Sequence, residues 1–143
     1  VRANDAGVAI IKEFEGVRLE AYKCPADVWT IGYGHTGPEV RKGLKISLEV
    51  AGAMLESDLQ KFEDGATKLI GSAPTTPNQF SAMVSLAFNI GLGNLAKSSV
   101  LRHHKAGNHK LAAESFLLWN KAKGTVLPGL TRRRMKERGL YLK

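Results

Sequence analysis

The 143-residue sequence contains a single cysteine, Cys24. One thiol cannot close an intramolecular disulfide, so the fold needs no oxidising compartment, and a zinc site of several cysteines is excluded. No run approaches the ~18–20 apolar residues of a membrane-spanning helix. The chain opens almost directly in a helix-like segment, without the charged-then-apolar pattern of a signal peptide, so any export route is expected to lie outside it. Internal repeats, low-complexity tracts, a phosphate-cradling glycine loop and metal-ligand spacings are also absent, so neither a metal nor an organic cofactor is expected. Acidic residues are outnumbered, with 13 Asp and Glu against 21 Lys and Arg, a formal charge of +8. That excess favours encounter with a polyanion: nucleic acid, an anionic membrane face or the bacterial cell wall.

What is present suits one globular domain, with 43% hydrophobic and 24% charged residues. Apolar Val8, Ile11 and Phe14, widened by Ile10, predict a helix over about Asn4 to Glu15. Asn4 or Asp5 can cap its start, and Gly16 suits its stop, so Glu15 sits at a helix end. Val28, Trp29, Thr30, Ile31 and Tyr33 are strand formers, and Cys24-Pro25-Ala26-Asp27 interrupts them like a turn. A small hairpin or three-stranded sheet is expected there. From Ser47, Leu48, Ala51, Leu55, Leu59, Phe62, Ala66 and Leu69 recur at helical spacing, with Glu56, Asp58, Lys61 and Glu63 on the other side. Thr76-Pro77 starts a helix whose face of Phe80, Met83, Val84, Ala87 and Phe88 is broad enough for burial nearly all round. Shorter helices are expected near Lys97–Ala106 and His109–Trp119, with Asn108 as a cap, and a last one over about Thr131–Arg138. The expected class is α+β and mostly helical. A small β lobe covers about 15–46, a connecting helix 47–70, and a helical lobe 71–143 plus the N-terminal helix.

The residues able to carry chemistry concentrate between Glu15 and His35. Glu15, after Phe14, is a carboxyl at the lip of an apolar helix, where desolvation favours the protonated form. Glycoside hydrolysis needs such a proton donor and a second group to hold or replace a water. On composition alone a solvated helix end is the commoner role for such a glutamate. Cys24 reads equally as a small buried hydrophobe, Thr30 as a strand former, and His35 as a structural histidine. Trp29 and Tyr33 can stack on sugar or simply pack.

Glu15, then eight residues to Cys24, then five to Thr30 and the run Ile-Gly-Tyr-Gly-His, resembles the phage lysozyme (endolysin) family. Gln79-Phe80 leading to Phe88-Asn89-Ile90-Gly91, then Ser98-Ser99-Val100-Leu101, and Gly129-Leu130, Arg132-Arg133-Arg134 and Glu137 follow in the family's order. The resemblance covers nearly the whole chain. It implies a two-lobed lysozyme-like fold and a muramidase that cleaves the β-1,4 bond between N-acetylmuramic acid and N-acetylglucosamine. It implies Glu15 as general acid, Thr30 as the hydroxyl that positions water or substrate, and Cys24 where many relatives carry aspartate. Tyr33, His35, Phe88, Asn89 and Ser99 are the implied substrate contacts. Arg133 is the implied orienting residue for Glu15. A thiol can replace the aspartate only as thiolate, and a free thiol has a pKa of about 8.5. The thiolate can draw on water, giving inversion, or attack the sugar, giving retention.

Asp27 falls where relatives commonly have glycine; it is read as a turn residue, or as a carboxylate replacing the one Cys24 lacks. The Arg132–Arg134 run is by default a solvated helix face, and with no stacking platform beside it nucleic acid is not an expected partner. The implied partner is bacterial peptidoglycan. A monomer with no stable membrane insertion is expected, acting on the wall after phage-encoded synthesis in the host cytoplasm. The competing readings are a lytic transglycosylase, a catalytically idle wall-binding domain and a cationic wall- or membrane-disrupting protein.

Overall fold

The computed structural model describes residues 1–143 and is mostly helical α+β. It contains α1 (Asp5–Glu15), β1 (Arg18–Lys23), β2 (Trp29–Gly32), β3 (His35–Thr36), α2 (Leu48–Ile70) and α3 (Pro77–Ile90). There follow α4 (Leu92–Lys97), α5 (Ser99–Lys105), α6 (His109–Ser115), a 3-10 turn (Phe116–Leu118), β4 (Lys121–Ala122), β5 (Thr125–Val126) and α7 (Pro128–Leu142). The chain divides into two compact units, Lys12–Lys61 and Val1–Ile11 with Phe62–Lys143. Both boundaries fall inside helices, α1 and α2, rather than at element ends. No helix is long and apolar enough to cross a membrane.

In the unit formed by Lys12–Lys61, β1, β2 and β3 form an antiparallel sheet in that order. Thr30 lies opposite Tyr22 on one side and Thr36 on the other. Segment 44–46 extends the sheet, with Ala21 N–H donating to Leu44 O and Ile46 N–H to Leu19 O, both at 2.9 Å. Ile31, Tyr33, Val40, Ala51, Leu55 and Leu59 form its buried core. Leu48, expected on the apolar face of α2, is 57% exposed. It stands in the first turn of the helix, where Ser47 Oγ accepts from Val50 N–H.

The larger unit is built around α3, buried continuously from Gln79 to Ala87 and packed on α7. A capping box starts α3: Thr76 Oγ1 accepts from Gln79 N–H and Gln79 Oε1 from Thr76 N–H. These two bonds satisfy donors the first helical turn leaves unpaired. Asn4 caps α1 by accepting from Gly7 N–H at 3.0 Å, while its own N–H donates to Ser81 Oγ. Glu63, expected on the polar side of α2, is buried and accepts from Ala3 N–H at 2.7 Å.

Several boundaries differ from expectation. Helix α7 begins at Pro128 and continues through Gly139 to Leu142. Proline at the first helical position needs no amide partner, and one interior glycine costs only about 1 kcal/mol. Asn108 stands at the start of α6 but makes no side-chain cap bond. Helix α4 and the β4–β5 hairpin are additions. The hairpin turns through Lys123 at φ 51° and Gly124 at φ 79°, the two positive dihedrals of a type I′ turn.

Candidate active site

Glu15 is half-buried at the last position of α1. Gly16 follows at φ +69°, in the left-handed region that ends helices, and its N–H donates to Lys12 O. Beside the carboxylate stands the tight connection between β2 and β3. A methyl group placed on Gly34, whose φ is +81°, would sit 3.3 Å from Glu15 Oε1. Glycine is favoured at Gly34 by its backbone angle, and a side chain there would press on Glu15 Oε1.

Cys24 follows β1 at the start of the turn into β2, half-buried rather than enclosed. Asp27 N–H donates to Cys24 O at 2.8 Å, and Cys24 N–H donates to Val28 O at 3.0 Å. Asp27 takes φ 63°, the conformation for which glycine is preferred and aspartate tolerated. Its carboxylate is exposed and pairs with Lys23 Nζ at 3.3 Å. Val28, expected in the strand, lies in this turn and is exposed. Thr30 is buried, and its hydroxyl donates to Val28 O at 3.0 Å. Hydrogen bonding from the backbone at Val28, then Ala26, and from the Thr30 side chain holds the Cys24 thiol below its ordinary pKa. The single Thr30 proton serves Val28 O or the thiolate by rotation about the C–O bond. The turn thus places a thiol of lowered pKa and a threonine hydroxyl together.

Tyr33 is buried, with Lys12 Nζ 5.6 Å from its ring centroid. His35 is bonded at both ring nitrogens: Nδ1 to Asp58 Oδ2 at 2.8 Å and Nε2 to Glu39 Oε1 at 2.6 Å. Desolvation opposes a charged ring there, but the bonds to Glu39 and Asp58 outweigh it and raise the histidine pKa. Glu39 is lowered in turn, chiefly by its bond to His35. Asp58 and Glu39 are site neighbours the sequence did not single out. Asp58 is 23 residues from His35, on a helix face that reads as ordinary solvated charge.

In the larger unit, Phe88 is half-buried and meets Phe62 edge-on at 5.2 Å between ring centroids. Asn89 is exposed at the end of α3, and Ser99 is half-buried at the first position of α5. The adjacent Ser98 caps α5 by accepting from Leu101 N–H. A cavity of about 320 Å³ in this unit is lined by Ile70, Thr75, Pro77 and Phe80 among others, and by none of the predicted site residues.

The arginine run departs from a solvated face. Arg132 is exposed, but Arg133 and Arg134 are buried around Glu137. Arg133 Nε and Arg134 Nη2 each donate to Glu137 Oε2 at 3.2 Å, and Arg134 Nε lies 2.7 Å from Glu137 Oε1. Arg133 Nη2 also donates to Ser85 O at 3.0 Å. Burial pushes the Glu137 carboxyl pKa up, against the opposing pull of Arg134 and Arg133. The periodicity of α7 puts residues 133, 134 and 137 on one side, and that side faces the core.

Backbone order, helix content and the three-stranded sheet define a mostly helical, lysozyme-like α+β protein. The chain belongs to the phage lysozyme family, whose model matches residues 12–137. The endolysin of Bacillus phage B103 is 47% identical over 97% of this chain, which spans about half (53%) of that relative's length. The endolysin of Salmonella phage P22 is 41% identical, covering 99% of both chains. Among solved structures, the muramidase domain of SpmX from Asticaccaulis excentricus superposes with a TM-score of 0.91 at 39% identity, covering 99% of this chain and 98% of that one.

Proposed function

We propose that this protein is a muramidase that lyses bacterial cell wall, hydrolysing the β-1,4 bond between N-acetylmuramic acid and N-acetylglucosamine. The observation that carries this reading is the pairing, in one small unit, of a half-buried helix-end carboxyl with a thiolate-favouring turn. Membership of the phage lysozyme family supports it. Two relatives, the P22 endolysin and the SpmX muramidase domain, agree with it.

In the proposed reaction Glu15 gives its proton to the glycosidic oxygen as the bond to the anomeric carbon breaks. Cys24, as thiolate, takes a proton from a water held by Thr30, and the water oxygen bonds to the anomeric carbon. Proton return from Cys24 to Glu15 through solvent closes the cycle with one water consumed. Arg133 serves as the orienting residue for Glu15, and Tyr33, His35, Phe88, Asn89 and Ser99 as substrate contacts. If Cys24 instead attacks carbon directly, the product keeps its anomeric configuration.

The decisive experiment is turbidity loss of purified peptidoglycan with the parent and Glu15→Gln, followed by product mass and anomer analysis. Clearing by the parent, its loss in Glu15→Gln and hydrated reducing ends are expected. Anhydro-sugar ends would identify a lytic transglycosylase, and wall binding without clearing an idle binding domain.

A further inference from the structure

The formal charge of +8 is distributed very unevenly. Residues 12–61 carry 7 Lys and Arg against 8 Asp and Glu, a net −1. Residues 1–11 with 62–143 carry 14 against 5, a net +9. Within the larger unit, the stretch from Lys97 to Lys143 holds 12 Lys and Arg and only two carboxylates, Glu114 and Glu137. Glu137 is buried between Arg133 and Arg134. Glu114, exposed, is bound by Arg138 Nε at 3.0 Å. The surface of this stretch therefore presents cations with no uncompensated carboxylate among them.

Some of these cations share a face with exposed apolar side chains. Three contacts set α6 and its 3-10 extension antiparallel to α7: the His109 ring near Tyr141, Glu114 bound to Arg138, and Trp119 O accepting from Arg134. On α6 and its extension, Leu111 and Leu118 lie one heptad apart and flank Glu114. On α7, Met135 and Leu142 lie one heptad apart and flank Arg138. The four are 52%, 69%, 56% and 51% exposed. Exposed Lys110, Arg132 and Lys143 stand beside them at neighbouring helical positions. Single exposed apolar residues are ordinary, but three leucines and a methionine alongside three cations on two adjoining helices form an amphipathic patch.

We propose that this α6–α7 face is a peripheral docking surface for an anionic phospholipid bilayer, separate from the residues assigned to hydrolysis. Charge complementarity selects a negatively charged partner. The leucines and methionine favour a bilayer over a wholly polar polyanion, because only a bilayer offers a region where they leave water beneath a layer of phosphate. No helix is long and apolar enough to span the bilayer, so the contact is with its surface.

The test is co-sedimentation of the protein with vesicles of phosphatidylglycerol and phosphatidylcholine, and with phosphatidylcholine alone, at moderate salt. Parent and Glu15→Gln are expected to bind the anionic vesicles alike and to ignore the neutral ones. At about fivefold per cation, replacing Lys110, Arg132 and Lys143 by glutamine should weaken binding by on the order of a hundredfold. Lys110→Gln with Lys143→Gln, a smaller change confined to exposed positions, should weaken it about 25-fold. Leu118→Ser with Met135→Ser should remove the portion of binding that survives high salt. Circular dichroism of each variant separates lost binding from lost fold. The proposal is overturned if the parent fails to bind anionic vesicles or binds neutral ones equally. It is also overturned if soluble polyphosphate competes fully and the Leu118 and Met135 changes have no effect, which would make the partner a polar polyanion.

Discussion

Ser85 Oγ donates to Glu137 Oε2 at 2.5 Å across 52 residues of chain, joining the middle of α3 to α7. The same carboxylate is shared by Arg133 and Arg134, so one buried anion organises two buried cations and a serine. Removing the carboxylate from such a buried ionic set costs about 3–5 kcal/mol, while losing one hydrogen bond to a charged group costs about 1.5–3. Glu137→Gln is therefore expected to be more destabilising than Ser85→Ala. Urea unfolding of both variants measures this, and equal losses would mean the ion pairs add nothing beyond the serine bond.

Gly34 is where backbone geometry and proposed chemistry meet. Gly34→Ala puts a side chain at φ +81° and a methyl group 3.3 Å from Glu15 Oε1. The backbone strain is expected to cost about 1–2 kcal/mol. Displacement of the carboxylate is expected to lower kcat by about ten- to a hundredfold. Turnover measured well below the variant's Tm separates the two effects. A stability loss with unchanged kcat would show that Glu15 tolerates the shift.

The thiol at Cys24 makes a chemical prediction that an aspartate would not. With its pKa lowered, it should react with iodoacetamide faster than an unperturbed exposed thiol near pH 7, and modification should abolish clearing. Cys24→Ser should lose most activity, and Cys24→Asp should restore part of it. Asp27→Asn should leave clearing intact, because the Asp27 carboxylate is exposed and paired with Lys23. Lost activity in that variant would assign Asp27 the carboxylate role.

His35 should make stability depend on pH in a defined direction. Its pKa is raised in the folded state, so its contribution is fully present below about 6.5 and is lost as pH rises through the folded value. The lowered pKa of Glu39 places the other edge: its contribution is present above its ordinary value and lost as pH falls through the depressed one. The Tm difference between parent and His35→Gln is thus expected to be largest between about pH 4.5 and 6.5. A pH-independent difference would show that the pair contributes only packing. His104 works in the opposite sense in the larger unit. Burial first, then His109, lowers its pKa, so it costs stability as pH falls below about 6.5. Taking the parent-minus-variant difference cancels that slope.

The long elements were legible because their signals are local and repeated: the spacing of Ala51, Leu55 and Leu59, or the cap at Thr76 followed by Pro77. Helix α4 was not, since six residues between Gly91 and Ser98 are too few for periodicity to register. The β4–β5 hairpin turns on Lys123-Gly124 instead of the Asn-Gly that announces a type I′ turn. Arg133 and Arg134 looked solvated because charge is usually outside; only the carboxylate three and four residues further on explains their burial. At the candidate site the sequence named Glu15, Cys24, Thr30 and His35, but not the residues that hold them. Asp58 reaches His35 from a separate helix, and no local pattern connects the two.

The boundary inside α2 also sets an order of events as the chain is made. The larger unit takes its first eleven residues from one end of the chain and the rest from the other. Asn4 must wait for Ser81, 77 residues later, before its amide finds its partner. At translation rates of about 5–20 residues per second, that wait is roughly 4–15 s, during which α1 lacks the Ser81 backbone and side chain that pack closely on Gly7. Helix α1 is thus locked in place well after it is made, and the smaller unit, whose strands and long helix are nearly contiguous in the chain, can assemble meanwhile.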